Sequence, residues 1–153
     1  MNSNSKDYGN LNRLNLNIVI ALYRSYFRIR RSTQKLMASY SITEPQFGVM
    51  EALYHLGDMK IGDIINKTLS TSGNMTVVIR NLEQEGWITR YIDPADKRAY
   101  LIQLTEKGKN FIEMIFPEHL NELEQLLSTL DLAEKEQLMY LFKKMNSIEL
   151  KGC

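Results

Sequence analysis

Residues 70–108 of this 153-residue chain decide its fold, and they read STSGNMTVVIRNLEQEGWITRYIDPADKRAYLIQLTEKG. The first part is polar and carries a glycine, and it then becomes apolar on one face, which predicts a helix that stops at Gly86. Two β-type runs follow, from Trp87 to Ile92 and from Ala99 to Leu104. The turn between them, Asp93 to Arg98, contains a proline and four charged residues. The stretch therefore predicts one helix followed by a β-hairpin.

A helix with a polar exposed face, followed by a hairpin with a basic tip, is the layout of a winged helix-turn-helix. In such a module the helix enters the major groove of DNA and the hairpin, called the wing, reaches alongside it. We therefore predict a mainly α fold with a small β-hairpin wing. Four side chains of the helix are expected to be buried: Val77, Val78, Ile79 and Leu82.

The composition suits one globular domain with room for a helical extension, since 44% of the residues are hydrophobic and 24% are charged. No apolar run approaches the roughly 18–20 residues that span a membrane, and the polar start lacks the apolar stretch of a signal peptide. We therefore expect a cytoplasmic chain with no membrane partner. The only cysteine is Cys153, which excludes an intrachain disulfide and a zinc-finger site. Motifs of hydrolases, phosphate-binding loops and metal sites do not occur, so neither catalysis nor a cofactor or metal is expected.

Charge is segregated along the chain although the net charge is only +1. Between Arg13 and Lys35 there are six basic residues and no acidic ones, whereas from Glu106 onward there are nine acidic and six basic residues. Such a distribution can give a nearly neutral protein a basic face. The alternative is that the basic residues simply belong to a solvated helix face.

Helices are predicted on the N-terminal side of the deciding stretch. Residues 11–40 have apolar side chains at helical spacing with no interior proline or glycine. A second helix begins at Thr43, where Gln46 completes a capping box, and it ends near Gly57. A short helix over residues 61–68 then leads to a turn. The helix after this turn, which stops at Gly86, is called the recognition helix below.

On the C-terminal side, Thr105 is predicted to cap a helix that Pro117 kinks or restarts. Asp131 and Glu134 form a capping box at the start of the last helix. The terminal helices carry more leucine and isoleucine than one small domain covers, which favours a homodimer over packing within the chain alone. The predicted divisions are a flexible arm at 1–10, a helical dimerisation region at 11–40 and 106–150, and a DNA-binding lobe at 41–105.

The wing motif D-x-R, formed by Asp96 to Arg98, is followed by L-T-x-x-G from Leu104 to Gly108. Together with T-S-G-N-M-T and L-E-Q-E-G-W-I-T-R upstream, these residues resemble those of the MarR family, the multiple antibiotic resistance regulators. The resemblance spans nearly the whole chain. It implies a homodimeric winged-helix regulator, most often a repressor, on a pseudo-palindromic double-stranded operator.

The resemblance also implies DNA-binding roles for particular side chains. The groove-facing start of the recognition helix would comprise Thr71, Ser72, Gly73, Asn74 and Thr76. Arg98 would enter the minor groove and Asp96 would orient it, while Arg80 and Lys97 would contact phosphates. The alternative for the helix start is that these residues only cap the helix.

A narrower resemblance links T-S-G-N-M-T and the string from Ile115 to His119 to members of the family that respond to quinone-like electrophiles. No cysteine lies near the N-terminal helix, so a reversibly bound small molecule is expected in place of thiol sensing. Aromatic side chains with an arginine suit a phenolic compound or an aromatic carboxylate. The candidates are Tyr23, Tyr26, Phe27, Arg30, Phe47, Met50 and Tyr54, with the alternative that the aromatic ones are core residues.

A rival function is a protein-interaction module that keeps the winged fold without specific DNA binding. The intact wing pair, Asp96 and Arg98, argues against it.

Overall fold

The computed structural model describes residues 9–68 and 72–147. Within these ranges the chain forms six helices and one three-stranded antiparallel sheet with strand order β1-β3-β2. The elements are α1 Gly9–Ser39, α2 Glu44–Leu56, β1 Met59–Lys60, α3 Ile61–Thr68, α4 Ser72–Gln84, β2 Ile88–Ile92, β3 Tyr100–Leu104, α5 Glu106–Leu126 and α6 Leu132–Asn146. The predicted fold class is confirmed: the protein is mainly α with a β-hairpin wing, here β2, the 93–99 turn and β3.

The predicted helix caps form as expected. Thr43 accepts a hydrogen bond from the backbone of Gln46, whose side chain accepts one from the backbone of Thr43. Asp131 and Glu134 make the same reciprocal pair at the start of α6. These caps satisfy amides that the first turn of a helix leaves without partners.

The recognition helix α4 ends where the sequence predicts, at Gly86. This glycine has φ +70°, its amide donates to the carbonyl of Glu83 at 2.9 Å, and the amide of Trp87 donates to that of Leu82 at 3.0 Å. This pair of bonds is a Schellman motif, which reverses the chain direction into the wing. In β2 and β3, Ile88 pairs with Leu104 at one end and Ile92 with Tyr100 at the other.

One buried position of α4 was predicted wrongly. Val78, Ile79 and Leu82 are buried, but Val77 is 44% exposed and Met75 is fully buried in its place. The buried residues fall at positions 75, 78, 79 and 82, which is the helical i, i+3, i+4, i+7 stripe. Val77 lies off that stripe because it is one residue out of phase.

Three further differences from the sequence predictions are small. Helix α1 begins at Gly9, so residues 9 and 10 of the predicted arm are helical, and residues 1–8 lie outside the described ranges. Strand β1 has only two residues, too few to show an alternating pattern in the sequence. Helix α5 passes through Pro117 without a restart.

The core lies in the middle of the chain, where α2, α4, α5 and the sheet meet. Only Thr33 and Met37 of α1 are buried, and no residue of α6 is. Exposed apolar residues on these two helices are Leu11, Leu14, Leu16, Ile18, Val19, Ile20, Tyr23, Tyr26, Phe27, Ile29, Leu132, Met139, Tyr140, Leu141 and Met145. The division into a DNA-binding lobe and a dimerisation region stays a prediction.

Among the helices of residues 9–68 and 72–147, none combines the length and apolarity needed to cross a membrane.

Gly108 lies where α5 starts against the beginning of the wing. It is buried, and a Cβ added there would overlap the carbonyl oxygen of Trp87 and lie 2.9 Å from its carbonyl carbon. The neighbouring Thr105 donates its backbone amide to the same oxygen at 3.0 Å. Only glycine therefore allows α5 to approach the wing this closely.

We predict that Gly108→Ala lowers the free energy of unfolding by about 3 kcal/mol or more, because the obstructing atoms are backbone and cannot rotate away. Urea denaturation followed by circular dichroism measures the change. Gly62→Ala is the matched control: its Cβ would meet nothing within 4 Å, so it should stabilise helix α3 by about 0.5–1 kcal/mol. Equal effects from both variants would contradict the close contact between Gly108 and the carbonyl of Trp87.

Candidate nucleic-acid interface

Helix α4 presents a polar surface on the side away from the core. Gly73, Asn74, Thr76 and Arg80 are all exposed. A Cβ added at Gly73 would meet nothing within 4 Å, so packing inside the chain does not require this glycine. A small residue there leaves room for a partner to approach the helix backbone.

Two of the predicted groove-facing positions are less fully described. Thr71 lies outside the described residues, and for Ser72 only the helical backbone is described. The placement of Gly73, Asn74, Thr76 and Arg80 on one exposed face is compatible with base-edge and phosphate contacts. Their DNA-binding roles stay predictions.

An ion pair fixes the wing to the recognition helix. Arg90 on β2 donates two hydrogen bonds to the carboxylate of Glu83 on α4. Its Nε donates to Oε1 at 2.5 Å, and its Nη2 donates to Oε2. These hydrogen bonds raise the pKa of the Arg90 guanidinium. The bidentate geometry holds strand and helix in one relative orientation. The sequence analysis missed this pair because its members are seven residues apart on different elements.

The tip of the wing consists of two consecutive turns. The carbonyl of Asp93 accepts from the amide of Asp96 at 3.2 Å, and the carbonyl of Asp96 accepts from the amide of Ala99 at 2.8 Å. Each aspartate also accepts a backbone hydrogen bond two residues on, from Ala95 at 2.8 Å and from Arg98 at 3.1 Å. Aspartate is favoured at the first position of such turns because its side chain can make this bond.

Arg98 projects from the second of these turns. Its side chain is 94% exposed, and its Nε lies 3.5 Å from Oδ1 of Asp96. An exposed pair at this distance is weak, so the guanidinium can exchange this carboxylate for another anionic partner. Lys97 beside it is also exposed. The expected contact between Asp96 and Arg98 is present, while its role in orienting Arg98 on DNA stays a prediction.

The base of the wing holds a buried aspartate that the sequence analysis did not single out. Asp93 is 6% exposed, and its Oδ2 lies 3.0 Å from Nζ of Lys60 on β1. The backbone hydrogen bond from Ala95 and the hydrogen bond from Lys60 lower the pKa of Asp93. The reciprocal bond raises the pKa of Lys60. Both charges are therefore retained at neutral pH.

A cleft of 710 Å³ lies at the junction between α1 and the helices of the core. Of the seven predicted ligand-binding residues, Tyr26, Arg30 and Phe47 line it. The other lining residues are Ile29, Thr33, Glu44, Pro45, Gly48, Glu51, Ala52, His55, Leu56, Lys67, Thr68, Met75, His119 and Leu123. Several of these are polar and come from α2, α3 and α5. The spacing of residues in the sequence does not show that these three helices meet at one cleft.

The structure does not place the remaining four predicted residues in this cleft. Met50 is fully buried in the core, so its side chain is not accessible. Tyr23 and Phe27 are exposed on α1 and do not line the cleft. Tyr54 packs beside Phe116 instead, with ring centroids 6.4 Å apart. The spacing of Tyr23, Tyr26, Phe27 and Arg30 places them on one side of α1, and which of them lines the cleft depends on where α2 and α5 pack against that helix.

Two of the charged groups in the cleft are paired with each other. Arg30 Nε donates to Glu44 Oε2 at 2.9 Å, and Gln34 Nε2 donates to the same oxygen at 3.0 Å. The hydrogen bond to Glu44 raises the pKa of Arg30. At the inner end, the ring of the buried His119 lies 5.0 Å from that of Phe47 in an edge-on arrangement. The cleft thus combines an aromatic wall with one exposed ion pair.

The fold and surface features can be compared with those of known proteins. The MarR family profile matches residues 42–100. The HTH-type transcriptional regulator MhqR of Bacillus subtilis (strain 168) is 34% identical over 130 residues, which cover 85% of this chain and 90% of MhqR.

Two solved structures are similar over most of their length. One describes the regulation of DNA binding of Bordetella bronchiseptica BpsR by 6-hydroxynicotinic acid, with a TM-score of 0.76 and 27% identity, covering 86% of this chain and 99% of that one. The other is the S. aureus MepR–DNA complex, with a TM-score of 0.73 and 27% identity, covering 83% and 95%.

The similarity to MhqR extends across the recognition helix, the wing and much of the flanking helices. The MarR family and the similar MhqR are transcriptional regulators and not enzymes. The chain therefore belongs to the MarR family of winged-helix transcriptional regulators.

Proposed function

We propose that this protein is a homodimeric repressor that binds a pseudo-palindromic operator and is released by a small aromatic ligand. The observation that carries the proposal is the exposed polar face of α4 beside a wing that ends in the exposed Arg98, with helix and wing joined by Arg90 and Glu83. A helix with a wing beside it is the pair of elements that a winged helix-turn-helix places against DNA. A regulator of this kind acts in the cytoplasm, where the DNA is.

The side chains on α4 suit the major groove. The amide of Asn74 and the hydroxyl of Thr76 can donate to and accept from base edges, and Arg80 can pair with a phosphate. Arg98 at the wing tip suits the narrow minor groove, whose negative potential attracts a guanidinium. MepR, which is similar in fold and sequence, has been solved in complex with DNA.

The exposed apolar surface of α1 and α6 supports the homodimer. Large hydrophobic residues cover both helices, and α6 buries none of its side chains within the chain. So many exposed apolar side chains on two helices are typical of a surface that another protein chain covers. A second copy of the same chain covers it in a twofold arrangement, because the same two helices then meet each other. Two recognition helices on one dimer would read two half-sites of a pseudo-palindrome.

The cleft beside α1 supports regulation by an aromatic compound. Tyr26 offers an exposed ring, Phe47 lines the cleft from the core, and Arg30 offers a cation that a phenolate or carboxylate would share with Glu44. BpsR, a similar structure, has its DNA binding regulated by 6-hydroxynicotinic acid, an aromatic compound. A ligand lodged between α1 and the core would change how the DNA-binding lobe sits on the dimerisation helices.

We predict that Arg98→Ala weakens operator affinity by about 1–3 kcal/mol and lowers the salt dependence of binding by about one unit of slope. The reason is the loss of one minor-groove cation. Fluorescence anisotropy on the DNA upstream of its own gene, at several salt concentrations, measures both quantities. Lys144→Ala, which removes a charge from α6, should leave affinity unchanged. Unaltered binding by Arg98→Ala would favour a winged-helix interaction module instead.

We predict that the wild-type protein has twice the 17.8 kDa chain mass in solution and that Tyr140→Asp combined with Leu141→Asp makes it a monomer. Both side chains are exposed in the single chain, so the substitutions should not unfold it. Light scattering coupled to gel filtration measures the mass. Ile92→Asp, at an equally exposed position on the wing, should remain dimeric. A wild-type monomer would refute the dimer.

We predict that Tyr26→Ala reduces affinity for salicylate, used as a probe, by about fivefold, because an aromatic contact of about 1 kcal/mol is lost. Tyr23→Ala is the matched control, since this tyrosine lies one turn away on α1 and does not line the cleft. Isothermal titration measures both. Equal losses in the two variants, or salicylate density elsewhere in a crystal, would rule out this cleft as the site.

A further inference from the structure

We propose that the salt bridge between Lys60 and Asp93 positions the wing for DNA, so that these two residues act through Arg98 without contacting a base themselves. The inference rests on the proposed DNA-binding function and names residues that determine how well the wing performs it. It is carried by the burial of Asp93, by the turns that connect it to Arg98, and by the exposure of the last apolar pair on the opposite face of the hairpin.

Asp93 is the one acidic residue among the buried residues of ranges 9–68 and 72–147. Both of its carboxylate oxygens are engaged, Oδ1 with the amide of Ala95 at 2.8 Å and Oδ2 with Nζ of Lys60 at 3.0 Å. A buried carboxylate is stable only when it is paired and hydrogen-bonded. The pair therefore fixes the point at which the wing tip leaves the sheet.

Lys60 lies on an edge strand of the sheet, close to the end of α2. It lies on β1 opposite Leu101 of β3, and β1 follows α2 after a two-residue connection at Gly57 and Asp58. Asp58 Oδ2 also accepts a hydrogen bond at 2.7 Å from the hydroxyl of Tyr91 on β2. Two polar contacts thus join β1 to the strand that carries the wing tip.

Apolar packing on one face of the hairpin ends before the tip. Ile102 is fully buried, but the next residues outward on the same face of the hairpin, Ile92 and Tyr100, are 54% and 51% exposed. The hydrophobic core therefore ends one residue pair before the turn. Beyond that point Lys60 and Asp93 provide the anchor.

From Asp93 the hydrogen bonds continue to the tip. The carbonyl of Asp93 closes the first turn onto Asp96, whose side chain holds the amide of Arg98 at 3.1 Å. A change at Asp93 is thus transmitted through two turns to the base of the Arg98 side chain. Lys60 also neutralises a carboxylate that would otherwise repel phosphates near the wing.

Operator affinity in a double-mutant cycle tests the proposal. Asp93→Asn and Lys60→Met should each weaken binding about fivefold or more at fixed salt, and Lys60→Arg should retain it. In an Arg98→Ala background, Asp93→Asn should cost less than about twofold, because the residue that it positions is gone. Asp63→Asn, which removes a nearby acid that has no hydrogen bond to Lys60, should change nothing. Melting curves verify that each variant is folded. If Asp93→Asn does not fold, the affinity of Lys60→Met tests the proposal.

A readout independent of DNA is hydrogen exchange of the Asp96 and Ala99 amides, which should accelerate in Asp93→Asn and Lys60→Met. Wild-type affinity in both variants, with loss only in Arg98→Ala, would overturn the inference and leave the proposed function standing. Losses that multiply with that of Arg98→Ala would also overturn it, since the anchor would then act independently. If the wild-type protein does not prefer operator DNA, the proposed function fails and this inference with it.

Discussion

The hydrogen bonds around the carbonyl of Trp87 hold the protein together at its functional end. The backbone amide of Thr105 donates to this oxygen at 3.0 Å, the Thr105 hydroxyl donates to the carbonyl of Gly86 at 2.7 Å, and Gly108 allows the close approach. The ring of Trp87 stacks on Phe111, with centroids 4.6 Å apart. One small joint thus fixes the end of the recognition helix, the start of the wing and the first turn of α5.

Beyond this joint and the apolar core, ion pairs orient the wing. The glutamate and arginine pair between α4 and β2 sets the angle of the wing to the recognition helix, and the Lys60–Asp93 pair sets its tip. Surface ion pairs contribute little to stability, but a bidentate pair and a pair with a buried carboxylate restrict orientation. DNA recognition depends on such orientation, because groove contacts are lost when an element is displaced by about 1 Å.

Local signals in the sequence were sufficient for most of the fold. Capping residues such as Thr43 and Asp131, and the left-handed Gly86, act within one turn of the chain, so helix ends could be predicted. Val77 was assigned to the core because an apolar run hides the helical phase. The cleft, the Arg90–Glu83 pair and the Lys60–Asp93 pair join distant segments, and a single sequence carries no record of those contacts. For the same reason the sequence did not show that Tyr26 and Arg30 line the cleft whereas Tyr23 and Phe27, on the same helix, do not.

The proposed function requires that the exposed face of α4 and the wing read specific DNA as a dimer. An anisotropy titration of the wild-type protein on the DNA upstream of its gene, compared with a scrambled fragment and repeated across salt concentrations, tests it most directly. The account predicts a preference of about 10³ or more for the upstream fragment and a steep salt slope that reflects about six or more phosphate contacts. Equal affinity for both fragments at every salt concentration would contradict it.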